Sequence, residues 1–300
     1  MSEQRYDRRD FLRLAGLGGV VVASGLPGCA GFGQPESARQ DFSFVQLSDI
    51  HWGYANPKVN PEARATLPRA IAAVNALDQQ PDFVVFTGDL TQTTDDPRVR
   101  RDRLKEFKEI AAGLKVRKVY FFQGEHDASL DRGEAYQEVI GGPLYYTFDH
   151  KGVHFIVLDN TSDPAPILGA KQLGWLKADL DRQSREAPIV VLTHRPLFAL
   201  YPQWDWATRD GAAAIELLMP YPNVTVFYGH IHHEHHHVTG HIGHHAAMAV
   251  MFPLSPVGTA PQKTQLPWDP AHPYKGLGFR AVSGTAGAAP RMRELALAPA

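Results

Sequence analysis

The sequence predicts an α/β fold, and three observations carry that expectation. Short continuous apolar runs, such as Phe83-Val84-Val85-Phe86, Ile189-Val190-Val191-Leu192 and Val224 to Tyr228, have the character of strands buried on both faces of a sheet. Segments with apolar residues at helical spacing lie between them. Five strand ends run into Asp, Glu or His, at the carboxyl edge where open α/β sheets hold their ligands. With 300 residues, 44% apolar and 21% charged, the chain can bury a substantial core as one large domain or two small ones.

The first 29 residues read as a targeting segment. Arg8-Arg9-Asp10-Phe11-Leu12 resembles a twin-arginine export signal, followed by a short apolar core from Leu14 to Ala23. That core is too short for an ordinary membrane-spanning helix. Leu26-Pro27-Gly28-Cys29 looks like a bacterial lipobox, with Pro27 an unusual residue at its place. Cys29 is the only cysteine, so no intrachain disulfide forms. The expectation is export by the twin-arginine machinery to the periplasm or the outer face of the cytoplasmic membrane, with a lipid anchor at Cys29 as the only membrane contact. Residues 30–40, polar and rich in small side chains, read as a tether.

Phe42 to Leu47 alternates as a strand and ends at Asp49-Ile50-His51, whose two polar residues share a side if the chain stays extended. A helix is predicted from about Leu67 to Leu77, then the Phe83 strand with Gly88-Asp89 at its end, then a charged helix from Arg98 to Leu114. Val116 to Phe122 is a strand delivering Gly124-Glu125-His126-Asp127, and Ala135 to Ile140 a short helix. Tyr145 to Phe148 and Val153 to Leu158 form a hairpin, and Lys171 to Arg185 an amphipathic helix. The Ile189 strand ends at Thr193-His194. A helix near Arg209 to Met219 leads to the Val224 strand and Gly229-His230-Ile231-His232. His233 to His245 is dense in histidine and reads as a solvated, partly strand-forming loop. Residues 251–276, with six prolines, read as a long irregular loop of the kind that serves as a lid. Gly278 to Ser283 and Leu295 to Leu297 close the chain as strands.

Asp49, His51, Asp89, Glu125, His126, His194, His230 and His232 therefore gather at five strand ends. Mixed carboxylate and imidazole donors suit Mn, Fe or Zn rather than Ca or a thiolate-loving ion, and one carboxylate can bridge two cations. Two metals roughly 3.5–4 Å apart clamp the oxygens of an in-line phosphoryl displacement and supply hydroxide at neutral pH. A net charge of −2 with no basic stripe argues against nucleic acid as the partner.

Asp-x-His, Gly-Asp, Gly-x-His-Asp, His and Gly-His-x-His, in this order over Phe42 to His232, resemble the calcineurin-like metallophosphoesterase family. The resemblance implies a four-layer αββα sandwich of two mixed β-sheets flanked by helices, with residues 41–300 forming the domain. It implies that Asp49, His51 and His232 hold one metal, that Glu125, His194 and His230 hold a second, and that Asp89 bridges. His126 would protonate the leaving oxygen, with Asp127 paired to it, and metal-bridging hydroxide would attack a small-molecule phosphoester. The Asp-Ile-His-Trp-Gly and Thr-His-Arg-Pro segments are similar to the branch with bacterial cyclic-nucleotide phosphodiesterases, which favours a phosphodiester. Arg195 is a candidate for bidentate contact with phosphate.

One position departs from the family pattern, which reads Gly-Asn-His-Asp where this chain has Gly124-Glu125-His126-Asp127. The extra negative charge lowers the Lewis acidity of the second ion or favours a trivalent one such as ferric iron, so divalent and mixed-valence pairs both fit. A glutamate swung away would instead leave one metal. Glu125 and the histidine-rich segment motivate a competing reading, a non-catalytic metal-binding or sensing protein. In it, His235, His237 and His241 would line the cleft or hold periplasmic copper or zinc.

Overall fold

The computed structural model describes residues 41–299; the stretch read as an export signal, Cys29, and the stretch 30–40 read as a tether lie outside them. β1 (Asp41–Leu47), β2 (Phe83–Thr87) and β3 (Val119–Phe122) pair in parallel. β10 (Gly278–Thr285) pairs antiparallel with both β1 and β11 (Arg291–Ala296) to complete a five-stranded mixed sheet ordered β11-β10-β1-β2-β3. The second sheet has the order β4-β5-β6-β7-β9-β8. It is built from β4 (Tyr146–His150), β5 (Val153–Val157), β6 (Ile189–Leu192), β7 (Val224–Tyr228), β8 (His235–Thr239) and β9 (Ile242–Ala246).

Three apolar layers follow from the alternation of side chains along these strands. Val45, Leu47, Val84 and Phe86 pack outward against α1 (Ala63–Asn75) and α2 (Pro97–Ala111). Phe44, Phe83, Val85, Phe155, Leu192 and Phe227 fill the space between the sheets. Ile156, Val191 and Val226 pack on the far side against α5 (Gly169–Leu180) and α6 (Gly211–Leu218). Helix, sheet, sheet, helix is the predicted four-layer sandwich. Phe44 sits at its centre, stacked on Phe83 at 5.1 Å and edge-on to Phe155 and Phe227 at 5.9 and 5.4 Å. Each such pair adds about 0.5–1.5 kcal/mol beyond its buried area.

Helix α2 shows why the sequence signals sufficed there. Asp96 accepts from the N–H groups of Arg98 and Val99, Pro97 occupies the first helical position, and Leu104, Phe107 and Ala111 face the sheet. Elsewhere the boundaries moved. The third strand begins at Val119 rather than Val116, and α5 ends at Leu180 rather than Arg185. A one-turn helix, α3 (Glu125–Ala128), follows β3, and α4 (Glu134–Val139) follows it. The histidine-rich stretch is an ordered hairpin, β8–β9, with His237 opposite His244 and His236 opposite His245. The proline-rich segment is not wholly irregular. Leu254 bridges Gln265, and Ser255 and Leu266 donate to the carbonyls of Thr264 and Pro253 at 2.8 and 3.0 Å.

Candidate metal centre

The five strand ends meet at one edge of the sandwich. Asp49, His51, Asp89, His230 and His232 all have left-handed backbone, with φ of 54, 44, 49, 68 and 60°. Nine non-glycine residues do so among the described residues, and five are these candidate ligands. Backbone strain of this kind concentrates at functional sites. Asp49 and His51 thus share a side through a tight turn, not through the extended chain expected. Two motif glycines are there for close approach: a Cβ on Gly88 would overlap the His194 ring, and one on Gly124 would overlap the Asp89 carboxylate.

The side chains form two groups. Asp49, His51, Asp89 and His232 make one, and Asp89, Glu125, His194 and His230 the other, with donor atoms in each within 4.8 Å of one another. Asp89 belongs to both. Its Oδ2 lies 3.5 Å from His51 Nε2 and 3.4 Å from His194 Nε2, while Oδ1 accepts from the backbone N–H of His126 at 3.0 Å.

Outer contacts fix which ring nitrogen faces inward. His194 Nδ1 donates to the Thr87 carbonyl at 2.7 Å, and His232 Nδ1 to that of Phe252 at 2.6 Å. His51 Nδ1 meets Gln92 Oε1 at 3.1 Å, and His230 Nε2 the Asp205 carbonyl at 3.2 Å. The inner nitrogens would thus present lone pairs to a bound cation. His51 Nε2 and His232 Nε2 face each other at 3.1 Å. Glu125 Oε2 and Oε1 lie 2.9 Å from His194 Nε2 and His230 Nδ1. Those contacts are out of hydrogen-bond alignment, so Glu125 Oε2, His194 Nε2 and His230 Nδ1 are buried without a hydrogen-bond partner. Converging lone pairs and carboxylates are a donor set that fits cations.

Electrostatics differ from ligand to ligand: burial opposes the charge on His194, but Asp89 and Glu125 outweigh it and hold that ring well above the usual histidine range. Burial pushes Asp49 up to about 6 and, with Asp89 beside it, Asp127 up to about 6. Burial opposes the charge on Glu125, but His230, Arg195 and His194 outweigh it and hold its carboxyl well below the usual range. Burial lowers His232 to about 4, which keeps a neutral imidazole available as a donor.

One expected pairing changes: Asp127 does not pair with His126. It accepts from the N–H groups of Gly124, Leu90 and Thr91 and from the Thr91 hydroxyl, tying α3 to the loop after β2. The Thr93 hydroxyl takes the place beside His126, 2.6 Å from Nδ1, and the Thr93 N–H points at the same atom at 3.3 Å. Arg195, the candidate for phosphate contact, is 6% exposed, with its Nη1 donating to the carbonyl and carboxylate of Asp205 at 2.8 and 2.5 Å.

The cleft over the ligands is walled by Asn56, Lys58 and Val59 and by Leu254, Lys263 and Gln265 of the proline-rich segment. Composition singled out the segment but not these positions. His235, His237 and His241 do not line it. They bond Tyr228, stack on Phe198 and bond the Tyr221 carbonyl, respectively, and among the described residues none joins a group of three or more metal-type ligands.

Known proteins place this arrangement. A cAMP/cGMP dual specificity phosphodiesterase of Mycobacterium tuberculosis is 28% identical over 212 residues, 66% of this chain and 64% of that protein. A probable cyclic nucleotide phosphodiesterase of Rhodococcus erythropolis is 26% identical over 214 residues, 66% of this chain and 67% of that protein. The chain thus spans about two thirds of the length of these relatives. In fold it is similar to a dimetal phosphatase from Danio rerio, with a TM-score of 0.57 at 14% identity over 84% of this chain and 98% of that one. It is also similar to the purple acid phosphatase PPD1 from yellow lupin (Lupinus luteus) seeds, with a TM-score of 0.60 at 14% identity over 85% and 51%. The family model of the calcineurin-like phosphoesterases matches residues 42–234, from β1 through the last ligand histidine, and the chain belongs to that family.

Proposed function

We propose that the protein is a metal-dependent hydrolase of small-molecule phosphoesters that prefers phosphodiesters. The observation that carries this reading is the pair of ligand groups sharing Asp89. Asp49, His51, Asp89 and His232 would hold one ion, and Asp89, Glu125, His194 and His230 the other, with Mn, Fe and Zn as the fitting metals. Such ions supply Lewis acidity toward phosphoryl oxygens and a water acidic enough to attack at neutral pH.

The chain's own residues do the rest. The Thr93 N–H, aimed at His126 Nδ1, leaves the proton of that ring on Nε2. The His126 side chain is 29% exposed and stands edge-on to His51, so Nε2–H faces the cleft and can protonate a leaving alkoxide. Lys58 and Lys263 add positive charge at the cleft wall for an anionic substrate. The diester preference rests on the two phosphodiesterase relatives and on the motif segments around Asp49 and His194.

The resemblance of residues 8–12 to a twin-arginine signal supports placing the protein in the periplasm or on the outer face of the cytoplasmic membrane, with Cys29 as the proposed lipid anchor. Replacing Arg8 and Arg9 by Lys should then retain the precursor in the cytoplasm. For activity, metal analysis should be followed by bis(p-nitrophenyl) phosphate, p-nitrophenyl phosphate and cyclic nucleotides as substrates. The expected result is two transition ions per chain and faster turnover of the diesters. A metal-replete protein that cleaves none of them would instead support the non-catalytic metal-binding reading that Glu125 favours.

A further inference from the structure

The one ligand that departs from the family pattern, Glu125, has a buried arginine beside it. Arg195 Nη2 lies 3.6 Å from Glu125 Oε1, although 69 residues of chain separate them. The arginine is built into place. Its backbone is clamped by Asn160, which accepts from its N–H at 3.2 Å and donates to its carbonyl at 3.0 Å. Its Nη1 is held twice by Asp205, whose carbonyl also faces His230 Nε2. Asp205 has left-handed backbone, φ 64°, which turns both its carbonyl and its carboxylate toward this point. Arg195 Nε is buried without a partner. A side chain so fixed, 6% exposed, has no freedom to follow a substrate.

We propose that Arg195, held in place by Asp205, is a counter-charge for Glu125, a positioning residue that offsets part of the charge this carboxylate presents to a cation. The proposal rests on reading the second ligand group as a cation site. The two groups each draw on two carboxylates, Asp49 and Asp89 in one and Asp89 and Glu125 in the other. Among the described residues, the arginine meets only the Glu125 side of this assembly. A buried cation a few ångströms from a ligand carboxylate opposes the charge that carboxylate presents to a metal, by an amount worth about ten- to hundredfold in affinity. Arg195 thus sets the second group's affinity apart from the first. It also removes the preference for a trivalent ion that Glu125 alone would impose.

The test is a double-mutant cycle read by metal binding, independent of turnover. Mn occupancy is measured by elemental analysis after equilibrium dialysis against buffered free Mn(II). R195M should bind the second ion about tenfold or more tightly. E125N should bind it about tenfold or more weakly, because a ligand carboxylate is lost while the guanidinium stays beside the site. E125N/R195M should return to within a few-fold of the wild type, and R195K, which keeps the charge, should stay near it. If R195M alone does not fold, comparison of E125N with E125N/R195M carries the same test. Single effects that fail to offset each other in E125N/R195M, or second-ion affinity unchanged or weakened in R195M, would overturn the proposal. So would R195M with intact metal binding and a raised KM for bis(p-nitrophenyl) phosphate, which would return Arg195 to phosphate contact. A chain that shows the coupling yet cleaves no ester keeps this inference and loses the proposed activity.

Discussion

The carbonyl of Phe252 accepts a hydrogen bond from His232 Nδ1 at 2.6 Å, so the proline-rich segment is joined directly to the metal centre. The Phe252 ring also packs on His232 and His51 at 4.5 and 4.9 Å between centroids, and on Tyr54 at 4.7 Å. The start of the segment therefore aims two ligands, while its tip carries the cleft wall.

Phe252→Ala should separate these roles. Truncating a buried Phe costs about 3–5 kcal/mol of stability. Loss of the surface that aligns a ligand ring typically lowers metal affinity about 10–100-fold. The ion of the Asp49, His51 and His232 group should leave first as free Mn(II) is lowered. Equal loss from both groups in metal titrations would show that Phe252 supports the fold and not the ligands.

As the proposed proton donor to the leaving group, His126 should matter most when that group is a poor one. His126→Ala should slow alkyl-ester hydrolysis by about 10²–10⁴-fold. Esters with a p-nitrophenyl leaving group should lose far less. Thr93→Val removes the 2.6 Å hydroxyl contact but keeps the backbone donor, and should cost only a few-fold. Rates compared across leaving groups of graded acidity decide this, since a uniform drop would place His126 outside proton transfer.

The strand ends were legible in the sequence because buried runs such as Phe83 to Phe86 stop abruptly at charged residues. The ligand groups were what the resemblance to the calcineurin-like family implied, and the structure brings all seven residues together. What stayed hidden depends on contacts between distant positions. Helix α3 has four residues, too few to show a period. The partners of His126 and Arg195 lie 33 and 10 residues away on separate loops. The β8–β9 hairpin was masked because histidine is neither plainly apolar nor plainly polar, so alternation along His235 to Thr239 is invisible in composition. Burial supplies the pattern, with Ile242, His244 and Ala246 inward and their neighbours less so.

Lys58 and Lys263 wall the cleft, are exposed, and have no ion-pair partner among the described residues. Their charge is available to a phosphoester. Replacing both by Ala should raise KM by roughly tenfold with little change in kcat, because uniform binding is lost. The wild type should show a KM that rises with ionic strength, and the double variant should lose most of that dependence. A KM indifferent to both salt and substitution would mean that the substrate anion is held by the metal centre alone.

His244 is fully buried on β9, its ring 5.2 Å from that of Phe198 and 6.0 Å from that of His237, with neither nitrogen hydrogen-bonded. Burial first, and then the charge of His237, push it down to about 4 from an ordinary 6.5. The unfolded chain therefore binds a proton between these values that the folded chain refuses. Stability from the neutral ring is fully present above about pH 6.5 and is lost as pH falls toward 4. Between pH 7 and 5 this one residue should remove roughly 2 kcal/mol. His245, also lowered to about 4 by burial and by His236, adds to the same trend. His244→Phe keeps the packing against Phe198 and has nothing to protonate. Its melting temperature should match or exceed that of the wild type at pH 7 and decline less steeply on acidification, both measured at fixed metal content. Parallel declines in the two proteins would show that the acid sensitivity originates elsewhere, with the ligand carboxylates next in line.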